Sequence, residues 1–429
     1  MNTLLYFGAI LILLATGIHV GAAMVLIAFG SDFLGLGVLP EVAGGIIWST
    51  MNSYIMVAIP LFILLGEILS RSGVADRMYR SLAIWVGWLP GGLIHANIAT
   101  CALFAAASGS SVATAATIGT VAQPPLLRLG YDEKMVLGSI AAGGTLGILI
   151  PPSINIIIYG ALTNTSIGKL FAAGVIPGIL LAMTMSMVVI VISLVKGQRA
   201  EQLEDMVTWA RRIHALLDIL PVLFVFLVVM GSIYMGIATP TEAAAMGIMA
   251  ALLLAALNKT LTIRMLHEAF LSSIRTSSMI LLVIVGAFIL NFQLSLVGVP
   301  QDLARWITSF GLGPTGTIWL LVAFYLVMGC FLEAVAMLVT TIGVVFPLVI
   351  LLGYDPVWFG IFVIVLMELA LITPPVGLNL FVVQNIRIQK GPISDVYRGI
   401  IPFVVAMFLF LILLIYVPSI ATWLPSKLF

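Results

Sequence analysis

Part of the chain is written twice. Shifting the sequence by 223 residues lays Pro151-Pro152 on Pro374-Pro375 and Pro124 on Pro347. It also lays Leu129-Gly130-Tyr131-Asp132 on Leu352-Gly353-Tyr354-Asp355, Val112-Ala113 on Val335-Ala336 and Thr117 on Thr340. One offset serves all of these without a gap, so each half carries a copy of one supersecondary plan. The fold must house the two double prolines that the offset matches. Each removes two backbone donors and disfavours helix in the residue before it.

The medium follows from the stretches between these marks. They are apolar runs of roughly 20 residues, the length of a membrane span. Only 8% of the chain is charged, against about 25% in soluble proteins. Lipid therefore replaces water around most of the surface, and every backbone polar group needs an internal partner. The runs lack the alternation of β-barrel strands. The expectation is an all-α polytopic membrane protein. Full spans are expected at 3–29, 54–70, 135–163, 171–195, 216–238, 240–257, 277–297, 357–384 and 400–424. Regions 91–127 and 314–350 carry small or breaking residues near their middles, and each is expected to end at a proline, Pro124 or Pro347. Both suit re-entrant hairpins, although pairs of full spans would leave the topology unchanged. Residues 74–88 mix charges with Met78, Leu82, Ile84, Trp85 and Trp88, as an interfacial helix does. Residues 198–214 form the longest polar stretch and suit a cytoplasmic connection between the halves.

Orientation comes from the basic residues. With the N-terminus in the cytoplasm, 15 of the 18 Lys and Arg fall inside and only Lys169, Arg305 and Lys427 fall outside. The first Leu-Gly-Tyr-Asp turn is flanked by Arg128 and Lys134, whereas the second has no Lys or Arg nearby. The two copies are thus expected to be inverted, an arrangement with sites near the midplane in many secondary transporters.

Candidate chemistry gathers at the tips and the double prolines. The first tip reads Ser108-Gly109-Ser110-Ser111, where glycine permits a tight turn and the serines offer hydroxyl oxygens to a hard cation. Close helix packing by small residues is the competing explanation for Gly109. The stretch Gly147 to Asn155, through Pro151, Pro152 and Ser153, is expected to unwind. Unwinding frees carbonyls for a cation and a helix N-terminus for an anion. The second copy repeats the break at Thr373-Pro374-Pro375, followed by Gly377 and Asn379. Its tip places Glu333 where the first copy has Ser110, and an ionisable group at this depth is functional by default. Glu67 suits a local hydrogen bond, Glu242 a helix cap, and Glu368 a weaker site role.

Other classes find little support. A net charge of +1 suggests no nucleic-acid partner. Cys101 and Cys330 lie in apolar segments as small hydrophobes do. His19 and His95 stand alone, and no His/Cys cluster, Walker loop or Ser–His–Asp pattern is visible, so an enzyme is not expected. Glu242-Ala243-Ala244 is like the coupling loop of ABC permeases, the alternative function, but it falls near the outer face.

Several runs together name a family. Ser108 to Gly119, Gly130-Tyr131-Asp132, Leu149 to Ser153, Ser166 to Phe171, Pro177-Gly178, Phe331-Leu332-Glu333 and Thr373 to Gly377 closely resemble the large membrane subunit of TRAP transporters, the tripartite ATP-independent periplasmic type. Ala334 departs from the proline that many members carry there. The resemblance implies an elevator like those of the ion-transporter superfamily, with scaffold and transport domains, in a bacterial inner membrane. Repeat one would be 1–195, with scaffold to 89 and transport part about 90–165. A connection and linking helix would fill 196–239. Repeat two would be 240–429, with scaffold 240–312, transport part about 313–390 and terminal helix 400–424. It implies Na⁺ as coupling ion, with no covalent cofactor, and a carboxylate cargo such as a C4-dicarboxylate, sialic acid or a related sugar acid. It implies two protein partners in the bilayer system, a small four-helix membrane subunit and a periplasmic substrate-binding protein. By analogy, sodium would meet Ser108, Gly109, Ser110, Ser111, Gly147 and Pro151 in one copy and Glu333, Thr373, Gly377 and Asn379 in the other. Substrate would meet Ser108, Ser110, Ser153 and Asn155.

Overall fold

The computed structural model describes residues 8–9, 12–13, 16–33, 37–196, 208–309 and 311–429. Among them every regular element is helical. Four helices come first: α1 (Val20–Phe33), α2 (Leu39–Met51), α3 (Tyr54–Arg71) and α4 (Val74–Val86). A hairpin follows, α5 (Leu93–Ser108) and α6 (Ser111–Arg128), then the interrupted pair α7 (Glu133–Thr145) and α8 (Ile154–Thr163), then α9 (Ile167–Val195). The second half runs α10 (Trp209–Tyr234), α11 (Pro240–Leu257), α12 (Ile263–Leu296) and α13 (Val299–Ser309). It continues with a second hairpin, α14 (Gly313–Met328) and α15 (Ala334–Leu351), and a second interrupted pair, α16 (Pro356–Ile372) and α17 (Leu378–Asn385). Helices α18 (Ser394–Tyr416) and α19 (Ser419–Leu428) end it. Seven of these are long and apolar enough to cross a membrane.

The 223-residue offset carries helix boundaries with it. Adding 223 to the ends of α6 (111 and 128) gives 334 and 351, the ends of α15, and Glu133 moves to Pro356, the first residue of α16. In both copies a Leu-Gly-Tyr-Asp turn joins these helices, with glycine at positive φ (Gly130 +77°, Gly353 +85°). Asp132 and Asp355 then cap the helices that follow, accepting from Lys134 N and from Val357 N and Trp358 N. Burial pushes the Asp132 carboxyl up, but the Lys196 hydrogen bond and charge, with the Lys134 amide and charge, bring it below its ordinary value. That stabilisation is present at neutral pH and is lost as pH falls through the carboxylate range.

Several boundaries differ from expectation. Pro124 and Pro347 do not end the hairpins; both lie inside helices, α6 and α15, which run on to the turns. The span expected at 3–29 is not one helix: Thr16-Gly17 form a turn and α1 begins at Val20, while residues 1–7, 10, 11, 14 and 15 lie outside the described residues. Helix α2, between expected spans, was not anticipated. Buried Asp32 holds its start, accepting from Val38 N (3.2 Å) and Leu39 N (2.9 Å). Helix α12 starts 14 residues before the span expected at 277; its 34 residues reach about 51 Å at 1.5 Å per residue, past a ~30 Å hydrocarbon core. The terminal span breaks at Pro418, where Val417 leaves helical geometry (φ −127°, ψ 71°). Residues 197–207 of the expected connection lie outside the described residues.

Helix α4 is amphipathic and packs on α5 and α10. Its Ser81 hydroxyl donates to the Ala215 carbonyl, and Trp85 Nε1 donates to the Arg212 carbonyl at 3.1 Å. Helix α11 begins in a reciprocal cap. Thr239 Oγ1 accepts from Glu242 N at 3.4 Å, and Glu242 Oε2 accepts from Thr239 N at 2.8 Å. Glu242 thus does a helix-capping job. Thr239→Ala is expected to cost about 1 kcal/mol, read as a lower melting temperature in detergent, with Thr239→Ser restoring most of it.

The copies interlock. Helix α15 packs on α8, α18 on α7, and α17 on α6 and α7. The Tyr159 hydroxyl on α8 donates to the Pro356 carbonyl at the start of α16 (2.7 Å), and its ring stacks edge-on against Phe346 and Phe359. Helices α3 and α12 pack together and flank the hairpins, α3 against α5 and α8, α12 against α15.

Candidate functional site

Pro151-Pro152 and Pro374-Pro375 both interrupt helices, each removing two amide donors in sequence, whereas Pro124-Pro125 is carried inside α6. After α7 the chain makes a 3₁₀ turn at Leu146–Ile148 and re-enters helix at Ile154. The Ser153 hydroxyl closes this break by donating to the Ile148 carbonyl at 2.5 Å. In the second copy α16 ends at Ile372, and the Thr373 hydroxyl donates to the Leu369 carbonyl at 2.6 Å. Gly377, at φ +56°, turns the chain into α17; a Cβ there would lie 2.9 Å from the Leu371 carbonyl oxygen.

Each tip rests on its own break. Gly109 ends α5 in the left-handed region (φ +61°), and a Cβ on it would sit 3.0 Å from the Pro152 carbonyl oxygen. A Cβ on Gly147 would come within 2.6 Å of the Ser110 carbonyl oxygen and 2.9 Å of Thr114 Oγ1. Ser108 Oγ lies 2.7 Å from that same Thr114 Oγ1. In the second copy Gly329, at the end of α14, rests on the last turn of α16, where a Cβ would lie 2.4 Å from the Ala370 Cβ.

The matched positions Ser110 and Glu333 perform one local task. Ser110 Oγ accepts from Ala113 N at 3.4 Å and so caps α6. Glu333 accepts from Ala336 N at 2.9 Å and Val335 N at 3.2 Å and so caps α15. The second copy thus introduces a carboxyl at a helix N-terminus, where the dipole favours negative charge.

One cavity of about 400 Å³ faces these parts together. Its lining includes Ser108, Gly109, Ser110, Ser111 and Asn155 from the first copy and Glu333 from the second. The first turns of α6, α8, α15 and α17 all reach it, through Val112, Ile154, Val335 and Leu378. Helices α3 and α12 close the opposite side with Glu67, Ser70 and Thr276. These three were not expected site residues. Glu67 makes one local contact, with Arg71 a turn on (3.1 Å), and one distant contact, accepting from Ser272 Oγ on α12 (2.7 Å). The signal for Ser70 was its place one turn from Glu67; its hydroxyl lies 3.1 Å from that of Thr117 on α6.

Gly147, Pro151, Ser153, Thr373, Gly377 and Asn379 do not line this cavity. Ser153 spends its hydroxyl on the break, and so does Thr373. Asn379 is 0% exposed, and neither its amide oxygen nor its nitrogen has a partner; Asn155 Oδ1 also lacks one. Buried polar atoms in this condition are costly unless something meets them. Oxygen donors of this kind suit a hard cation. Among the described residues no group of three His, Cys, Asp or Glu converges as a metal site.

Residues 7–420 match the family model described as "Tripartite ATP-independent periplasmic transporter, DctM component". The C4-dicarboxylate TRAP transporter large permease protein of Vibrio cholerae is 36% identical over 91% of this chain and 90% of its own length. The sialic acid TRAP transporter large permease protein of the same organism is 30% identical over 96% of each. Among solved structures, the YdaH transporter of Alcanivorax borkumensis superposes with a TM-score of 0.67 at 14% identity, covering 97% of this chain and 98% of that one. That last likeness concerns the fold.

Proposed function

Because the chain belongs to the DctM component family of tripartite ATP-independent periplasmic transporters, and so is a large permease subunit in a membrane and not an enzyme, we propose that it imports a carboxylate with Na⁺. The observation that carries this reading is the cavity that faces both tips and the first turns of the helices following both breaks. Four helix N-termini converge on it, and backbone donors with the helix dipole favour an anion there. The oxygen-rich tips and the amides of Asn155 and Asn379 supply the complementary cation sites. A cation beside Glu333 would offset its charge and let an anionic cargo approach. Names of relatives suggest the cargo class: a C4-dicarboxylate or sialic acid.

Movement is proposed to be of the elevator type, with inverted copies in a bacterial inner membrane and the N-terminus inside. Helices α5–α8 and α14–α17 form the moving part, and α1–α4 with α10–α13 form the scaffold. Gly66 on α3 supports this division. A Cβ there would lie 2.9 Å from the Ser108 carbonyl, so the scaffold touches the tip through a glycine, a smooth contact for sliding. Cargo arrives from a periplasmic binding protein, and a small membrane subunit completes the assembly. The ABC alternative finds no support, since Glu242 caps a helix and the relatives are TRAP permeases.

Uptake in proteoliposomes, with the binding protein outside and no ATP, tests the reading. Transport is expected only with Na⁺ present; equal uptake without Na⁺ would overturn the coupling. Glu333→Ala should raise the Na⁺ needed for half-maximal uptake roughly tenfold, the equivalent of about 1.4 kcal/mol, or abolish uptake. Unchanged Na⁺ dependence in that variant would remove Glu333 from the site.

A further inference from the structure

Glu368 lies in the last turns of α16, inside the membrane-spanning body, and is 0% exposed. Neither carboxyl oxygen has a hydrogen-bond partner. The Leu149 amide, in the break of the first copy, lies beside the carboxyl but outside hydrogen-bonding geometry. That amide already donates to the Leu146 carbonyl at 3.2 Å. The carboxyl of one copy is therefore packed against the unwound segment of the other. The repeat makes it one-sided: 368 − 223 is 145, and Thr145 there satisfies its own hydroxyl on the Ala142 carbonyl at 2.7 Å.

Among the described residues no positive charge pairs with it. The titratable groups on elements packed against α16 are Glu133 and Lys134 (α7), Tyr159 (α8), Lys169 (α9), Tyr325 (α14), Asp395, Tyr397, Arg398 and Tyr416 (α18) and Lys427 (α19), with Glu333 capping α15 and Arg387 just beyond α17. Tyr325 is bonded to Thr341, Tyr159 to Pro356, Tyr397 to Pro375, and Arg387 to Glu133 and Asp395. Among the described residues none forms a hydrogen bond with Glu368. A carboxylate this deep, without a partner, is too costly to keep. Glu368 also does not line the 400 Å³ cavity, and the cation that occupies no volume is the proton.

We propose that Glu368 is a proton-binding site between the two breaks, carried as the neutral acid while they pack together. When they part and water enters, the O–H bond breaks, water takes the proton as hydronium and the carboxylate is left solvated; the reverse step accompanies repacking. The packed arrangement holds one more proton than the parted one, so acid favours packing. The consequence for uptake rests on the transport reading above, whereas the bound proton does not.

Glu368→Gln, the neutral side chain of equal size, tests both. In the full chain in liposomes at neutral pH, the infrared difference spectrum of wild type minus Glu368→Gln is expected to show the carbonyl stretch of a protonated carboxyl. A carboxylate band in its place would overturn the proposal. This measurement needs neither Na⁺ nor cargo, so it stands or falls apart from the transport assay. In uptake assays the variant should keep its Na⁺ dependence and lose the pH dependence of the wild type; an unchanged pH profile counts against the site. Failure of Glu368→Gln to fold would also overturn it, since a neutral acid and its amide make nearly the same packing.

Discussion

Replacing Gly399 with alanine is expected to break the contact between α7 and α18, and valine there should leave little folded protein. A Cβ on Gly399 would lie 1.9 Å from the Lys134 carbonyl oxygen and 2.7 Å from its carbon. Facing it, a Cβ on Gly138 would lie 2.1 Å from the Gly399 carbonyl oxygen. Glycine pairs of this kind let two backbones touch. Overpacking an ordinary core costs about 1–3 kcal/mol because side chains yield. Here both obstacles are backbone, so the helices themselves must separate, and the cost should reach or pass the top of that range. The readout is the elution profile and melting temperature of the purified protein in detergent. A Gly399→Ala variant that melts with the wild type would show that the two helices part freely.

The second large effect is expected from Arg387→Ala. Arg387 follows α17, and its side chain is 5% exposed. Its guanidinium grips Glu133 at the start of α7 through two bonds, Nε to Oε1 at 2.8 Å and a terminal nitrogen to Oε2 at 2.6 Å. It also meets Asp395 at the start of α18 at 3.0 Å. Glu133 raises the guanidinium above its ordinary value, with Asp395 adding to it against a smaller opposing effect of burial. Gln123 on α6 joins in, donating to the Ile386 carbonyl and accepting from Ile388 N, both at 3.3 Å. Removing the cation leaves two largely buried carboxylates facing each other, with only Lys134 at 3.8 Å from Asp395. Breaking a buried pair in this way costs about 3–5 kcal/mol. Arg387→Lys keeps the charge and loses the two-pronged fork, so its stability should fall between the two. A loss under 1 kcal/mol for Arg387→Ala would mean that the cluster is solvated and weak.

Much of this architecture was legible because its signals are local. The matched double prolines Pro151-Pro152 and Pro374-Pro375 interrupt their helices, although Pro124-Pro125 does not, and the Leu-Gly-Tyr-Asp turns announced their own ends. The prolines expected to end the hairpins were read too strongly: Pro124, followed by Pro125, and Pro347 both sit inside helices, whereas Pro418, beside a residue out of helical geometry, stands at a break. Helix α2 escaped because Leu39–Met51 is short and mixed in composition. The first turns of α12 escaped because Arg264, His267, Glu268 and Arg275 lower hydropathy without opposing helix.

At the site, the tips and breaks were found from residue type, and the cavity brings together Ser108 to Ser111, Asn155 and Glu333. What sequence could not show was which hydroxyls were already engaged. Ser153 and Thr373 satisfy carbonyls of their own chain, and no pattern of letters distinguishes that from a free ligand. Glu67, Ser70 and Thr276 reach the cavity from helices, 38 to 57 positions away from the nearest tip residue, Ser108 or Glu333. Arg387 was counted only as a cytoplasmic charge, because its partners are brought to it by tertiary packing.

The interlocking of the copies bears on how such a chain is made. Helix α8 packs on α15, and α7 on α18, segments that lie more than 170 residues further along. Synthesis runs from the N-terminus, so the first half is inserted before the surfaces it needs have been translated. Its tip and its break must wait at the translocon without their final neighbours. Contacts so distant in sequence close late.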